Sequence, residues 1–408
     1  MRCRHCQSYL KLRFADLGSA PPSNAYLTAE SLHAAERWFP LRVLVCESCW
    51  LVQTDDFAQA GDLFDADYAY FSGFSTSWLA HIKRYVTEMV QRFELNNESY
   101  VIEVAANDGY LLQFVKAQGI RCTGVEPTAS TADAARSKGI DIVEEFFGVR
   151  LANELVARGG HADLMVANNV LAHVPDINDF VAGFSTLLKP QGVATFEFPH
   201  LLCLVADNQF DTIYHEHYSY LSLTAVQRIF AANGLMVFDV QELSTHGGSL
   251  RVFAQRVDTG TRVIRGEIGL LLRQEEEVGI RTSDFYAGFQ ARAEEVKDNF
   301  LSFLIEAKRQ RKTVAAYGAA AKGNTLMNFA GIRPDLIHYI VDRNPSKQGK
   351  FMPGSRIPIV DEAQLWKRRP DYLVILPWNL AAEVKEQNTK LANLGTKFVT
   401  TVPKLLIA

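Results

Sequence analysis

From residue 100 to residue 200, apolar runs short enough for buried strands alternate with amphipathic segments long enough for helices. Strand patterns fall at Tyr100–Ala105, Arg121–Val125, Asp141–Val143, Ala162–Ala167 and Gly192–Phe198. Helical patterns fall between them, at Tyr110–Gln118, Ala129–Lys138, Arg150–Arg158 and Ile177–Leu188. Such alternation predicts an α/β unit, a parallel sheet covered by helices on both faces. In open sheets of this kind ligands sit at the carboxyl ends of the strands. Those ends carry Glu103, the turn Ala106-Asn107-Asp108-Gly109, Glu126-Pro127 and Asn168-Asn169. A carboxylate ending the second strand can accept hydrogen bonds from both hydroxyls of a ribose. The first turn lacks G-x-G-x-x-G and offers no cradle for a pyrophosphate, which disfavours an NAD-dependent dehydrogenase. An acidic, glycine-poor turn suits the cationic, phosphate-free S-adenosylmethionine.

The rest of the chain frames that unit. Cys3-x-x-Cys6 and Cys46-x-x-Cys49 form two knuckles, a spacing that places four thiolates on one Zn2+. Four thiolates leave the metal no open position, so its expected role is structural. The intervening stretch Leu17–Leu27 reads as a turn leading into a helix. Tyr68, Tyr70, Ser72 and Ser75 then form a hydroxyl-rich loop, either a helix N-cap region or a surface for a polyhydroxylated ligand. A helix is expected from Ser77 to about Phe93.

Tyr214-His215-Glu216-His217-Tyr218 is the densest collection of proton-handling groups in the sequence. Imidazole titrates near neutrality and suits removal of a proton beside a ketone. His246-Gly247-Gly248 follows, where two glycines either admit close backbone approach to a ligand or close a hairpin. Residues 262–311 read as a helical connector, with Glu275-Glu276-Glu277 on a solvated face. A third unit repeats the strand–helix alternation: strands at Thr313–Tyr317, His338–Asp342 and Tyr372–Leu376, and a turn Gly318–Thr325 opening a helix. Its lysine, Lys322, and the helix N-terminus face one point, an arrangement for an anion such as a nucleotide diphosphate. Domains are therefore expected at 1–70 (zinc-binding), 71–260 (S-adenosylmethionine-binding), 261–311 (connector) and 312–408 (a smaller Rossmann-like unit). With 42 basic and 46 acidic residues, the chain shows no charge excess that would suit nucleic acid or a membrane surface. No apolar run reaches bilayer length, and the first residues lack the apolar core of a signal peptide, so a cytoplasmic location is expected.

In this order, these motifs resemble S-adenosylmethionine-dependent C-methyltransferases acting on nucleotide-diphosphate keto-deoxysugars, typically TDP-linked. Cys3, Cys6, Cys46 and Cys49 look like that family's zinc domain. Tyr68-x-Tyr70-x-Ser72 looks like its sugar loop, and Glu103–Gly109 with Asn168-Asn169…His173 looks like its methyl-donor unit. Tyr214–His217 looks like its active-site run. Tyr317-Gly318-Ala319-Ala320-Ala321-Lys322-Gly323-Asn324 looks like its nucleotide-sugar motif, with Ala320 where the family often has proline. The resemblance implies an enolate at C3 of a 4-keto sugar, with His217 as base and His173 in reserve. It implies Glu216 as orienter of His217 or ligand contact, and Tyr214 or Tyr70 on the oxyanion. Ser75, His246, Gly247, Gly248, Lys322, Asn324 and Arg343 are expected on the substrate, and a monomer or weak homo-oligomer is expected. Rival readings are an O- or N-methyltransferase of another metabolite and a non-catalytic, zinc-clipped binding scaffold.

Overall fold

The computed structural model describes residues 1–55, 57, 73 and 76–408; Tyr68, Tyr70, Ser72 and Ser75 lie outside the described residues. The chain begins with β1 (Leu12–Ala20), β2 (Phe39–Val45) and β3 (Val52–Thr54), an antiparallel meander. Helix Thr76–Arg92 leads into β4 (Tyr100–Val104), β5 (Arg121–Val125), β6 (Asp141–Val143), β7 (Ala162–Asn168) and β8 (Leu188–Pro199), with helices between them. Then come β9 (Ser219–Tyr220), β10 (Leu235–Leu243) and β11 (Ser249–Arg256). After three connector helices follow β12 (Val314–Tyr317), β13 (Ile340–Val341), β14 (Ile359–Val360), β15 (Tyr372–Ile375), β16 (Lys397–Thr400) and β17 (Leu406–Ile407).

The central sheet runs β10-β11-β8-β7-β4-β5-β6, parallel except at β11, which is antiparallel to both its neighbours. Its middle strands are apolar on both faces because helices cover both. From β4, Ile102 packs with Leu151 and Phe180 on one side, while Val101 packs with Ile82 and Leu111 on the other. Each such aliphatic side chain, fully buried, contributes about 1.5–3 kcal/mol. Helix Ile177–Leu187 starts where the Asp176 carboxylate accepts from the Asp179 amide at 3.0 Å, a side-chain cap. The C-terminal sheet runs β14-β13-β12-β15-β16-β17, parallel apart from the last pair.

Two elements depart from the sequence reading. The stretch Leu17–Leu27 does not lead into an α-helix; only a 3-10 turn, Ser31–His33, lies between β1 and β2. The stretch to Ala20 completes β1, and Leu27 instead bridges to Phe351 of the C-terminal unit. Glu275 is not on a solvated face; it is fully buried. Its carboxylate accepts from His200 Nε2 at 2.8 Å, from the amides of Leu223 (2.7 Å) and Thr224 (2.8 Å), and from the Thr224 hydroxyl. It thereby satisfies the bare amides at the start of helix Leu223–Ala232. The charge of Glu275 is tolerated inside because its lone pairs are filled.

The units are not beads on a string. Phe14 of β1 stacks on Phe289 of connector helix Phe289–Arg309 at 4.2 Å, and Val43, Val52, Phe300, Ala316 and Ile340 belong to the same core. The fourth strand of the N-terminal sheet is β9, supplied by the tyrosine–histidine run: Val52 pairs with Tyr220 and Gln53 with Ser219. Among the described residues no helix is long and apolar enough to cross a membrane.

Candidate active site

At the carboxyl end of β4 the backbone enters the left-handed region at alternate residues: Ala105 (φ 59), Asn107 (φ 49) and Gly109 (φ 73). This is the path of a Gly-x-Gly-x-Gly loop, written here with only its last glycine. Asparagine tolerates that conformation; for Ala105 it costs roughly 1–2 kcal/mol. The missing glycines made the loop look like a plain tight turn in the sequence. Glu126, at the end of β5, holds it by accepting from the Asn107 amide (2.9 Å) and the Thr128 amide (3.0 Å). Pro127 lies between these contacts. Lys138 reaches both the carbonyl and the carboxylate of Asp108. Burial pushes the carboxyls of Glu103 and Glu126 above their ordinary range. On the adjacent strand the Asn168 amide is buried with neither its oxygen nor its nitrogen hydrogen-bonded. Such a group is costly unless a ligand completes it. Acidic strand ends, a left-handed loop that brings backbone close, and an unsatisfied amide fit S-adenosylmethionine.

Beside that end lies the histidine cluster. His217 Nδ1 lies 2.8 Å from the Thr212 carbonyl, which can only accept, so Nδ1 carries the hydrogen and Nε2 the lone pair. Its ring packs on Tyr214 at 3.9 Å and meets the edge of His173 at 4.6 Å. Burial drives His217 well below its usual range and His173 down to about 4, so both rings are neutral acceptors at pH 7. Glu216 does not orient His217: the Thr212 carbonyl does. The Glu216 carboxyl accepts from the Asn24 amide (3.3 Å) and its Nδ2 (3.2 Å), and burial raises it to about 7. The neighbouring His215 turns away to the Phe39 carbonyl of β2.

The third wall comes from the β10–β11 connection and the C-terminal sheet. Thr245–Gly247 is a single 3-10 turn joining two antiparallel strands, so the glycines close a hairpin and also permit close approach. A Cβ on Gly247 would run into the Trp378 ring and the Gln209 amide; one on Gly248 would meet Cys203. His246 is itself left-handed (φ 55) and stands edge-on to Trp78 at 5.1 Å. Beneath the turn, Glu197 accepts from the Thr245 hydroxyl (2.9 Å) and Arg251 (2.6 Å), and pairs with His81 (3.1 Å). Burial opposes its charge, but His81 and Arg251 prevail and hold it near 2.

Lys322 lies 4.4 Å over the Trp378 ring and donates to Asn379 at 2.8 Å, while Trp378 Nε1 donates to the buried Asp211 at 2.8 Å. Burial raises Asp211 to about 6. Two further expected substrate residues have side-chain partners within the C-terminal unit. Asn324 is fully buried within helix Ala321–Phe329 and accepts from Asn328. Arg343 is paired with Glu362, which also takes the Tyr317 hydroxyl. Gln209, Asp211, Trp378 and Asn379 escaped the sequence reading, because no local spacing marks residues that meet only when two sheets dock.

The four cysteine sulfurs lie within 4.8 Å of one another, and none is in a disulfide. Gln53 donates to Cys3 Sγ at 3.3 Å. Four thiols on one point are the donor set of a closed, tetrahedral Zn2+ site.

Family models agree with this arrangement. One described as a zinc binding domain matches residues 3–64, a methyltransferase domain matches 78–240, and a C-methyltransferase C-terminal domain matches 244–403. The C-methyltransferase NovU of Streptomyces niveus is 34% identical over 402 residues, covering 98% of this chain and 95% of its own. Among solved structures, magnesium protoporphyrin IX methyltransferase of Synechocystis PCC 6803, with bound SAM, overlaps 44% of this chain and 79% of its own at 15% identity and TM-score 0.34. The PH0226 protein of Pyrococcus horikoshii OT3 overlaps 46% of this chain and 95% of its own, at 12% identity and TM-score 0.38. With nearly its whole length matched by that relative, the chain belongs to the C-methyltransferase family and is an S-adenosylmethionine-dependent enzyme with a structural zinc domain.

Proposed function

We propose that the enzyme methylates C3 of a TDP-linked 4-keto-deoxysugar through an enolate, in the making of branched deoxysugars in the cytoplasm. One observation carries the reading: a neutral histidine, locked by the Thr212 carbonyl so that Nε2 bears the lone pair, sits beside a tyrosine and a second histidine in a buried cluster. A carbonyl at C4 acidifies the C3 hydrogen. His217 Nε2 takes that proton, and the C–H electrons move into the ketone, leaving charge on O4. Tyr214 stabilises the oxyanion, with Tyr70 as the partner expected from the sugar loop. His173 packs edge-on and keeps water from the imidazole. Bound S-adenosylmethionine supplies an electrophilic methyl; carbon–carbon bond formation breaks the carbon–sulfur bond and releases S-adenosylhomocysteine. Glu103, Glu126 and Asn168 hold the donor's polar groups at the strand ends. Lys322 and the adjoining helix N-terminus bind the diphosphate, and the His246–Gly248 turn lines the sugar. The partner is therefore a small nucleotide sugar and not a nucleic acid.

The test incubates the enzyme with labelled S-adenosylmethionine and a panel of TDP-4-keto-deoxysugars, read by mass, with deuterium exchange at C3 measured in D2O. Methyl gain at carbon together with exchange at C3 is expected. Methyl transfer to oxygen or nitrogen without exchange would overturn the enolate, and binding without transfer would leave a scaffold.

A further inference from the structure

The zinc domain touches the reacting groups through one side chain. Arg4 lies between Cys3 and Cys6 and is only 8% exposed. Its amide donates to Gln53 Oε1 at 2.9 Å, the same glutamine that reaches Cys3 Sγ. Its guanidinium then spans two loops. Nη1 donates to the Pro175 carbonyl at 2.9 Å, two residues beyond His173. Nη2 donates to the Thr54 carbonyl at 3.3 Å, and the plane lies 5.1 Å from the Tyr218 ring, the residue after His217. Thr54 in turn ties the strand to the histidine run: its amide donates to the Tyr218 carbonyl (3.1 Å) and its hydroxyl to the His217 carbonyl (3.2 Å). Thus one planar cation bears on the loop of His173 and on the run of His217, whose rings meet at 4.6 Å.

We propose that Arg4 is a positioning residue for methyl transfer: from the metal knuckle it clamps together the two loops that bring His173 against His217. It touches no reacting atom. A guanidinium suits the task because its rigid fork serves two carbonyls while its face packs on an aromatic ring. The inference rests on the proposed role of the histidine pair. It assigns the N-terminal unit a part in setting catalytic geometry, beyond holding the fold. Displacing a catalytic group by about an ångström costs on the order of 100-fold in rate.

Arg4→Met and Arg4→Lys are made in the full, zinc-loaded chain, with Asn178→Ala as control. Asn178 bonds the backbone and ring of His5 in the same knuckle but takes no part in the clamp. Expected for Arg4→Met are one zinc per chain, unchanged S-adenosylmethionine affinity, sugar KM within about threefold, and kcat down about 10- to 100-fold. Arg4→Lys should recover part of the loss, and Asn178→Ala should stay within about twofold. By NMR, the His217 Nδ1–H resonance should move in Arg4→Met and not in Asn178→Ala. Should Arg4→Met shed zinc, Tyr218→Leu, which leaves the knuckle intact, decides by the same kcat and resonance criteria. Normal kcat with an unmoved resonance overturns the clamp. Failure of the histidine reading looks different: His217→Asn would then turn over normally, whatever Arg4 does.

Discussion

Gly247 joins two sheets, and its replacement by alanine separates two costs that the structure keeps distinct. Its φ is 90, in the left-handed region, and a Cβ there would lie 2.9 Å from Gln209 Nε2 and 2.9 Å from a Trp378 ring carbon. Gly119, just past helix Leu112–Ala117, is also left-handed (φ 73) but has open space where its Cβ would stand. The left-handed conformation costs an alanine roughly 1–2 kcal/mol. Fewer unfolded conformers return about 0.4–1 kcal/mol. Gly119→Ala should therefore destabilise by between zero and about 1.6 kcal/mol. Gly247→Ala carries the same strain plus overlap, about 1–3 kcal/mol more. Trp378 cannot retreat cheaply, because its Nε1 is bonded to Asp211 and its face lies under Lys322. The total for Gly247→Ala is about 1–5 kcal/mol. Urea unfolding of both variants, read as midpoint and slope, measures the difference, and steady-state kinetics should show a raised sugar KM with unchanged S-adenosylmethionine affinity. A Trp378→Leu background should relieve about 1–2 kcal/mol of the Gly247→Ala cost. Equal losses for the two glycine variants, or strict additivity with Trp378→Leu, would refute the close docking.

Further outcomes test the remaining groups. His217→Asn should lower kcat by about 10²- to 10⁴-fold while both ligands still bind by calorimetry; near-normal turnover would remove His217 from the role. Folded Glu216 keeps its proton to about pH 7, whereas an ordinary glutamate releases it near 4.5. The folded state therefore binds more protons across that window, so Glu216 contributes stability below it that is lost as pH rises through 7. Glu216→Gln removes this dependence, and its stability relative to the unsubstituted chain should rise between pH 5 and 8, by on the order of 2 kcal/mol; a flat difference in urea midpoints would contradict the buried, protonated carboxyl. Removing zinc with a strong chelator should raise hydrogen exchange at the amides of Tyr218–Tyr220, because β9 hangs on β3; unchanged protection would show that the sheet stands without its metal.

The parallel sheet was legible because its strands are short apolar runs with helices between them, and period and length decide such segments. The cysteine knuckles and the carboxyl-end residues Glu103, Glu126 and Asn168 were legible for the same reason: local spacing fixes where they stand. Ala105 hid the left-handed loop after β4, since an alanine forced left-handed leaves no trace in composition. Glu275 looked like one of three solvated glutamates, because only tertiary structure supplies the four donors that bury it. Glu216 was expected beside His217 and faces Asn24, since alternation in an irregular run cannot tell which neighbour turns inward. The Asp211–Trp378 hydrogen bond joins residues 167 positions apart, and no pattern announces it.

Strand β9 carries a consequence for how the molecule is made. Thr54 and its partner His217 are 163 residues apart in the chain. A nascent N-terminal segment can gather its thiols early, yet β3 stays a bare edge until the five parallel strands β4–β8 of the central sheet have been synthesised. Excised as a fragment, that segment would expose a row of unpaired amides and carbonyls to its neighbours, an invitation to self-association. Inheritance should therefore treat the first two hundred and twenty residues as one piece: recombination that swaps the metal unit alone would trade away the strand on which the tyrosine–histidine run is built.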